Sequence, residues 1–489
     1  MPDSPAAPPA GSPGDDDNLI YFNGIDGETG QYAVAPRTIG DMANIAKGNP
    51  RLTPMTDVRG ERPTRAFGLP PGVDYQKLDE AGWGVIFHEN AAAEIQSALE
   101  PLLTIRKKAA GALFKTLDYK TGEQTRDWYR RHDVAPGQSD PETVPYYLLI
   151  LGAPDDIPFE FQYLLGVDYA VGRLSFATAD EYARYAESIV RYEGATAIAN
   201  AKKIAYWGTR HVGDGATQLS ATQLIGPLAN GDPARSGRLG KPAHAAFGFD
   251  HQLFLADRAT KDALLSQFGG DRPPALVFTA SHGMQFSPGG PIQQGAQGAL
   301  LCQDWSGFGR VSADDYLAAS DIPDDANVGG VVAFFFACFA AGTPKADQFF
   351  VKAADMGTTL PPLAPQPFVA ALPRRLLGHP KGSALAVIGH IDRAWGYSIQ
   401  SPGMAGSQII PFRSGLGFMM QGDPIGHVVK DQFGGRFAAL SAELSTVLAP
   451  SAPKISDRDL VTYWLERNDA QNYVVLGDPA ARLRVDKLA

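Results

Sequence analysis

Short, wholly apolar runs alternate with amphipathic stretches along most of the chain. Residues 146–151 (YYLLIL) are apolar throughout and give way to Gly152 and Pro154. A strand buried on both faces of a parallel sheet has this signature. Segments 84–88, 203–207, 275–280, 330–337 and 384–391 have the same character and are read as strands. Between them apolar residues recur at helical spacing. Ile95, Leu99, Leu102, Leu103 and Ile105 predict a helix over 91–108, and further helices are expected over 181–192, 217–229, 260–268, 346–353 and 368–377, the last kinked by Pro373. Strand–helix alternation of this kind predicts an α/β fold: a mostly parallel central sheet flanked by helices on both faces. Residues 1–18, rich in Pro, Ala, Gly and Asp, read as a disordered tail. Residues 19–80 read as an irregular extension laid on the body. The body itself divides near residue 198 into two αβ halves, 81–198 and 199–489. Residues 358–367 (TTLPPLAPQP) are a Pro-rich loop between two expected helices.

Composition narrows the functional classes. The chain has 489 residues, 44% hydrophobic and 20% charged, enough for a substantial core. Its 43 basic residues against 53 acidic ones give a net charge of −10, which argues against a nucleic-acid partner. The most apolar stretch, 331–341, is too short to span a bilayer, which takes about 18 residues or more, so no membrane is implicated. The beginning of the chain lacks the basic and apolar segments of a secretory signal. With only two cysteines, Cys302 and Cys338, a disulfide scaffold is excluded and a reducing, cytoplasmic setting is expected. The nine histidines and two cysteines show no metal-ligand spacing, and the Gly-rich stretches lack a P-loop Lys-Ser/Thr, so no cofactor is expected.

In open α/β sheets, reactive groups collect in the loops beyond the carboxyl ends of strands. Two such ends stand out. The run 275–280 leads into Ser281-His282-Gly283, and the run 330–337 leads into Cys338, followed by Phe339-Ala340-Ala341-Gly342. Taken singly, the cysteine reads more readily as a small buried hydrophobe than as a nucleophile, and the histidine as a hydrogen-bonded structural residue. If the two strands are neighbours, however, both face one crevice. That is what a thiol nucleophile requires: an imidazole placed to take its proton or to hold it as thiolate. Gly283 allows close approach of a substrate, and its N–H together with that of Cys338 would form an oxyanion hole. Cys302, in GALLCQDW, has no such neighbours and reads as core.

Strand-Ser-His-Gly followed by strand-Ala-Cys resembles the clan of cysteine peptidases that includes caspases, legumain and separase, and most closely its gingipain-like family and the bacterial CHAT domains. Further segments resemble that family in the same order: 147–152 with Asp156-Ile157-Pro158; Asp168 through Gly172-Arg173 and the helix reaching Tyr192-Glu193; 386–395, ending in Ala394-Trp395; and Gly477-Asp478-Pro479. The resemblance implies a caspase-like fold with two tandem caspase-like subdomains, only the second catalytic. It implies Cys338 as nucleophile and His282 as general acid/base, with Trp395 and Ile399 walling the substrate pocket. The sequence departs from the family where gingipains carry the carboxylate that selects arginine. That position falls near Gln218, and the nearest acid is Asp214. A neutral amide cannot make the charge-assisted contact that selects a guanidinium, so an uncharged residue is expected in the pocket. The acid that supports the histidine in some relatives would fall near Gly208, where there is none, so a backbone carbonyl is expected in that role.

The function expected from this reading is a cysteine endopeptidase acting on proteins or peptides, regulated inside a bacterial cell, with defence systems that release a caspase-like protease as one setting by analogy. The Pro-rich loop 358–367 reads first as a passive connector, and otherwise as a mobile lid or a docking strip for an activating partner. Two rivals stand beside it: a catalytically silent caspase-like module that docks a protein partner, and a different thiol hydrolase, for which the G-x-C-x-G elbow is missing.

Overall fold

The computed structural model describes residues 18–48, 68–137, 139–232, 235–347, 362–400, 408–449 and 451–489. Ten strands form one sheet: β1 Trp83–His88, β2 Phe114–Tyr119, β3 Tyr147–Leu151, β4 Ala170–Leu174, β5 Ala201–Gly208, β6 Asp250–Leu255, β7 Pro274–Ala280, β8 Val332–Phe336, β9 Ala386–His390 and β10 Tyr473–Gly477. Their spatial order is β2-β1-β3-β4-β10-β9-β8-β7-β5-β6. Neighbours are parallel except β9 and β10, which run antiparallel. The sheet is therefore two parallel halves running in opposite directions. The order β2-β1-β3-β4 in one half recurs as β6-β5-β7-β8 in the other.

The strands that carried the clearest apolar signal are the central ones. Every residue of β3, β4, β7, β8, β9 and β10 is buried. Four strands were missed by the pattern: β2 (FKTLDY) and β6 (DHQLFL) lie at the two edges, where polar residues meet solvent, whereas β4 and β10 are central and entered the reading only as resemblance motifs.

Other expectations shift for identifiable reasons. The helix expected over 91–108 is two helices, Ala93–Ala98 and Glu100–Ala110. Pro101 stands at the start of the second, where its missing N–H costs nothing. Pro373 likewise sits in the first turn of Ala371–Leu377 and produces no kink. The expected helix 346–353 lies outside the described residues from 348 onward, and 346–347 are not helical. Among the described residues no helix is long and apolar enough to cross a membrane.

The described part of the N-terminal extension carries a ten-residue helix. Its helix Ile39–Gly48 packs on the helix Asp457–Asn472, and Ile20, Phe22, Ile39, Met42, Trp395, Leu460 and Trp464 share a second hydrophobic cluster. This cluster anchors the extension beside Trp395, in the segment that follows β9.

The sequence motifs of the first half and of the C-terminus meet each other rather than the crevice. Arg173 is fully buried and donates to the carbonyls of Gly152 and Ile157 (2.9 and 2.7 Å) and to Gln162 Oε1 (2.7 Å). A Cβ on Gly172 would lie 2.2 Å from the Gly477 carbonyl oxygen, so only glycine lets β4 and β10 approach there. Asp478, fully buried, accepts from Arg106 Nε at 2.7 Å, Trp83 Nε1 at 3.0 Å and the Ala480 N–H at 3.1 Å, and Arg106 also reaches Glu193. Asp478→Ala would leave the buried guanidinium half-paired. We expect it to lose about 3–5 kcal/mol of stability, read as a lower midpoint of urea unfolding with the slope unchanged.

Candidate active site

β7 lies between β5 and β8, so the loops after all three open side by side. Ala280 is in register with Gly208 on one side and Phe336 on the other. His282 follows β7, Cys338 follows β8, and the loop after β5 carries Asp214. Phe339, directly after Cys338, has φ 58°, one of three non-glycine residues with positive φ among the described residues. A bulky residue in that region is strained, and such strain gathers at functional sites. The Phe339 N–H is fixed by the Asp392 carbonyl at 2.8 Å, which helps hold the turn that presents Cys338.

His282 is fully buried, and its ring is held at both nitrogens. Nε2 lies 2.7 Å from Asp214 Oδ2. Asp214 caps the helix Gly215–Ser220 through the Ala216 N–H (3.1 Å) and also accepts from Thr217 Oγ1 at 2.6 Å and from the Tyr32 hydroxyl. Burial by itself would raise its pKa, but the adjacent imidazole and these hydrogen bonds outweigh burial and hold the carboxyl well below the usual carboxylate range. The acid expected near Gly208 thus stands six residues further on, and no backbone carbonyl is needed in its place. Asp214, expected at the substrate pocket, faces the histidine instead.

The Gly283 backbone lies flat against that of Cys338. A Cβ on Gly283 would sit 1.8 Å from the Cys338 carbonyl oxygen and 2.9 Å from its amide nitrogen, which brings the two peptide groups together. The Cys338 thiol is buried, accepts from the Ala394 N–H at 3.2 Å, and is pushed up to about 12 by burial, against the pull of that N–H.

The crevice is covered by the chain's own residues 20–32. The Cys338 thiol donates to the Asn23 carbonyl at 2.8 Å, and the Gly24 N–H donates to His282 Nδ1 at 2.9 Å. Cysteine and histidine therefore bracket one peptide group. Ile25–Asp26 pairs as a parallel strand with Met284–Gln285, directly after Gly283. The Tyr32 ring stands edge-on to His282 at 5.7 Å, and the Phe22 ring edge-on to Trp395 at 5.0 Å. The sequence offered no sign of this cover, since Asn23 and Gly24 read there only as part of an irregular extension.

The remaining expected residues divide. Trp395 is buried beside the site, one residue beyond the Ala394 amide that meets Cys338. Ile399 is packed in the main core. Gln218 is partly buried, with its amide 3.4 Å from the His211 carbonyl. Cys302 is buried, with its thiol against the Leu300 carbonyl at 3.3 Å. Of the loop expected to act as a lid, 358–361 lie outside the described residues. The described part is packed down: Leu363 and Ala364 are buried, the Leu363 N–H bonds the Lys345 carbonyl at 3.0 Å, and its carbonyl accepts from Gln293 at 2.6 Å. Among the described residues no group of three or more His, Cys, Asp or Glu is placed to hold a metal ion.

No protein-family model matches the chain, and no curated protein matches it. Solved structures are similar to it at low identity. One described as a protease has TM-score 0.47 and 15% identity, covering 83% of this chain and 80% of that one. The Arg-specific cysteine proteinase gingipain R has TM-score 0.45 and 14% identity, covering 83% and 79%. A complex of the pro- and mature domains of RgpB from Porphyromonas gingivalis has TM-score 0.40 and 12% identity, covering 83% and 80%.

Proposed function

We propose that the chain is a cysteine endopeptidase in which Cys338 is the nucleophile, His282 the general acid/base and Asp214 the group that orients the imidazole. The observation that carries this reading is the bracket around the Asn23–Gly24 peptide: a thiol on its carbonyl, an imidazole nitrogen on its N–H, and a buried carboxylate on the far ring nitrogen. That set performs acyl transfer. Nδ1 faces the bound peptide, so it takes the thiol proton as the sulfur attacks and returns it to the leaving nitrogen. Asp214, ionised, keeps Nε2–H directed toward itself and stabilises the imidazolium between those steps. The adjoining N–H groups of Gly283 and Cys338 are the donors for the developing oxyanion.

The recurrence of one strand order in the two half-sheets supports two tandem caspase-like subdomains. Only the second, from about residue 199, carries the site. Two unpaired cysteines suit a reducing compartment. Asp214 is committed to His282 and Gln218 is neutral, so the cleft prefers an uncharged residue before the scissile bond over arginine. Cleavage of a peptide library by the wild type beside Cys338→Ala tests activity and preference together. Cleavage at uncharged residues, absent in the variant, is expected; cleavage only after arginine contradicts the stated preference, and cleavage retained in the variant contradicts the enzyme.

A further inference from the structure

The segment covering the crevice lies in it as a substrate would. We propose that the Asn23–Gly24 bond is this enzyme's own first substrate, cut by Cys338, and that asparagine before the bond and glycine after it are what the cleft accepts. The proposal deepens the peptidase reading and rests on it.

Chain direction is the first argument. The acyl side of the peptide, the Asn23 carbonyl, is on the nucleophile, and the leaving nitrogen, that of Gly24, is on the histidine. A segment lying the other way would put the amide nitrogen on the sulfur and the carbonyl on the histidine, where no cut could follow. Anchoring is the second argument, because the segment is held on both sides of the bond. Upstream, Phe22 packs on Trp395, so that indole contacts the residue before Asn23. Downstream, Ile25–Asp26 adds a short strand beside Met284–Gln285, and the Gly27 N–H reaches the Gln285 carbonyl at 2.9 Å. Strand addition of this kind is how extended peptides are recognised through their backbones.

The third argument concerns the residues flanking the bond. Asn23 is buried at 5% exposure, and its side chain is a neutral amide, which agrees with a cleft in which Asp214 is engaged by His282. Gly24 has φ 115°, which side chains rarely adopt, whereas a Cβ there would meet Sγ at an ordinary 3.5 Å. It is the backbone angle, not a lack of space, that calls for glycine after the bond.

The step balances with water as co-reactant. The thiol proton moves to His282 Nδ1, sulfur bonds the Asn23 carbonyl carbon, and the C–N bond breaks as that proton passes to the Gly24 nitrogen. Water, giving a proton to the same nitrogen of His282, then hydrolyses the thioester. A carboxylic acid is left on Asn23 and the thiol is regenerated.

The test uses full-length protein. Wild type and Cys338→Ala are incubated and followed by intact mass and N-terminal sequencing, and a synthetic peptide of residues 18–30 is offered to each. The expected result is a product beginning at Gly24 and cleavage of the peptide at the same bond, both absent in the variant, with a peptide carrying Asn23→Lys left whole. Asn–Gly sequences also rearrange through a succinimide without an enzyme, so a Gly24 product forming equally in Cys338→Ala overturns the proposal. Wild type that cuts library peptides but neither its own bond nor the 18–30 peptide also overturns it and leaves the peptidase reading standing. Protein inert toward every peptide and toward a cysteine-directed acyloxymethyl ketone overturns both.

Discussion

Replacing Cys338 with alanine is expected to abolish peptide cleavage, a loss of about 10³-fold or more, while leaving the fold intact. The side chain is small and buried, and its hydrogen bonds go to the Asn23 carbonyl and the Ala394 amide, neither of which ties sheet strands together. His282→Ala is expected to lose as much, because burial disfavours the thiolate and the variant lacks the imidazole that takes the proton. Asp214→Asn removes the charge that orients the imidazole and stabilises the imidazolium, and a loss of about 10²–10⁴-fold is expected. Double substitutions should cost little more than the worst single one, since the three act as a unit. Steady-state kinetics on one fluorogenic peptide, with circular dichroism to confirm folding, checks the series. Additive losses, or a small effect of Asp214→Asn, would mean that the carboxylate is only a structural partner of the ring.

The second large effect is expected at Gly283. A Cβ added there would stand 1.8 Å from the Cys338 carbonyl oxygen, which leaves no room for even a methyl group, and the obstacle is backbone rather than a movable side chain. Gly283→Ala must therefore push the two strand ends apart. It is expected to cost about 1–3 kcal/mol of stability, and the folded fraction should lose about 10²–10³-fold in activity as the paired oxyanion donors separate. Gly295→Ala is the control: a Cβ there meets nothing within 4 Å, so stability and activity should be unchanged. Thermal unfolding and initial rates of the two variants side by side decide the matter. A fully active Gly283→Ala would show that the two amides do not work as a pair.

Much of this architecture was legible in the chain itself, because buried parallel strands write themselves as apolar runs. The runs ending at His282 and Cys338 are adjacent strands, as the crevice argument required. Of the strands that escaped notice, β2 and β6 are edge strands with mixed composition, while β4 and β10 are central but only five residues each. Asp214 stood out in the sequence but as a pocket residue. Its partner is settled by the side-by-side placement of the loops after β5 and β7, a tertiary fact that spacing along the chain does not encode. The cover over the site was illegible for the same reason. Asn23 meets Cys338 across 315 positions of sequence, and the segment's short strand lacks the length for a periodic signal. The Pro-rich loop drew attention by composition, yet its described part is packed down, and the crevice is closed from the other end of the chain.

The most direct test of the Cys338–His282–Asp214 centre is to locate the adduct formed by a Phe-Asn acyloxymethyl ketone on the full-length protein, by digestion and tandem mass spectrometry. The inhibitor copies Phe22-Asn23, and its warhead alkylates a thiol only where an imidazole keeps that thiol reactive. The account predicts one adduct per chain, on the peptide containing Cys338, and none in His282→Ala. An adduct on Cys302, no adduct on either cysteine, or labelling of Cys338 undiminished in His282→Ala would contradict it.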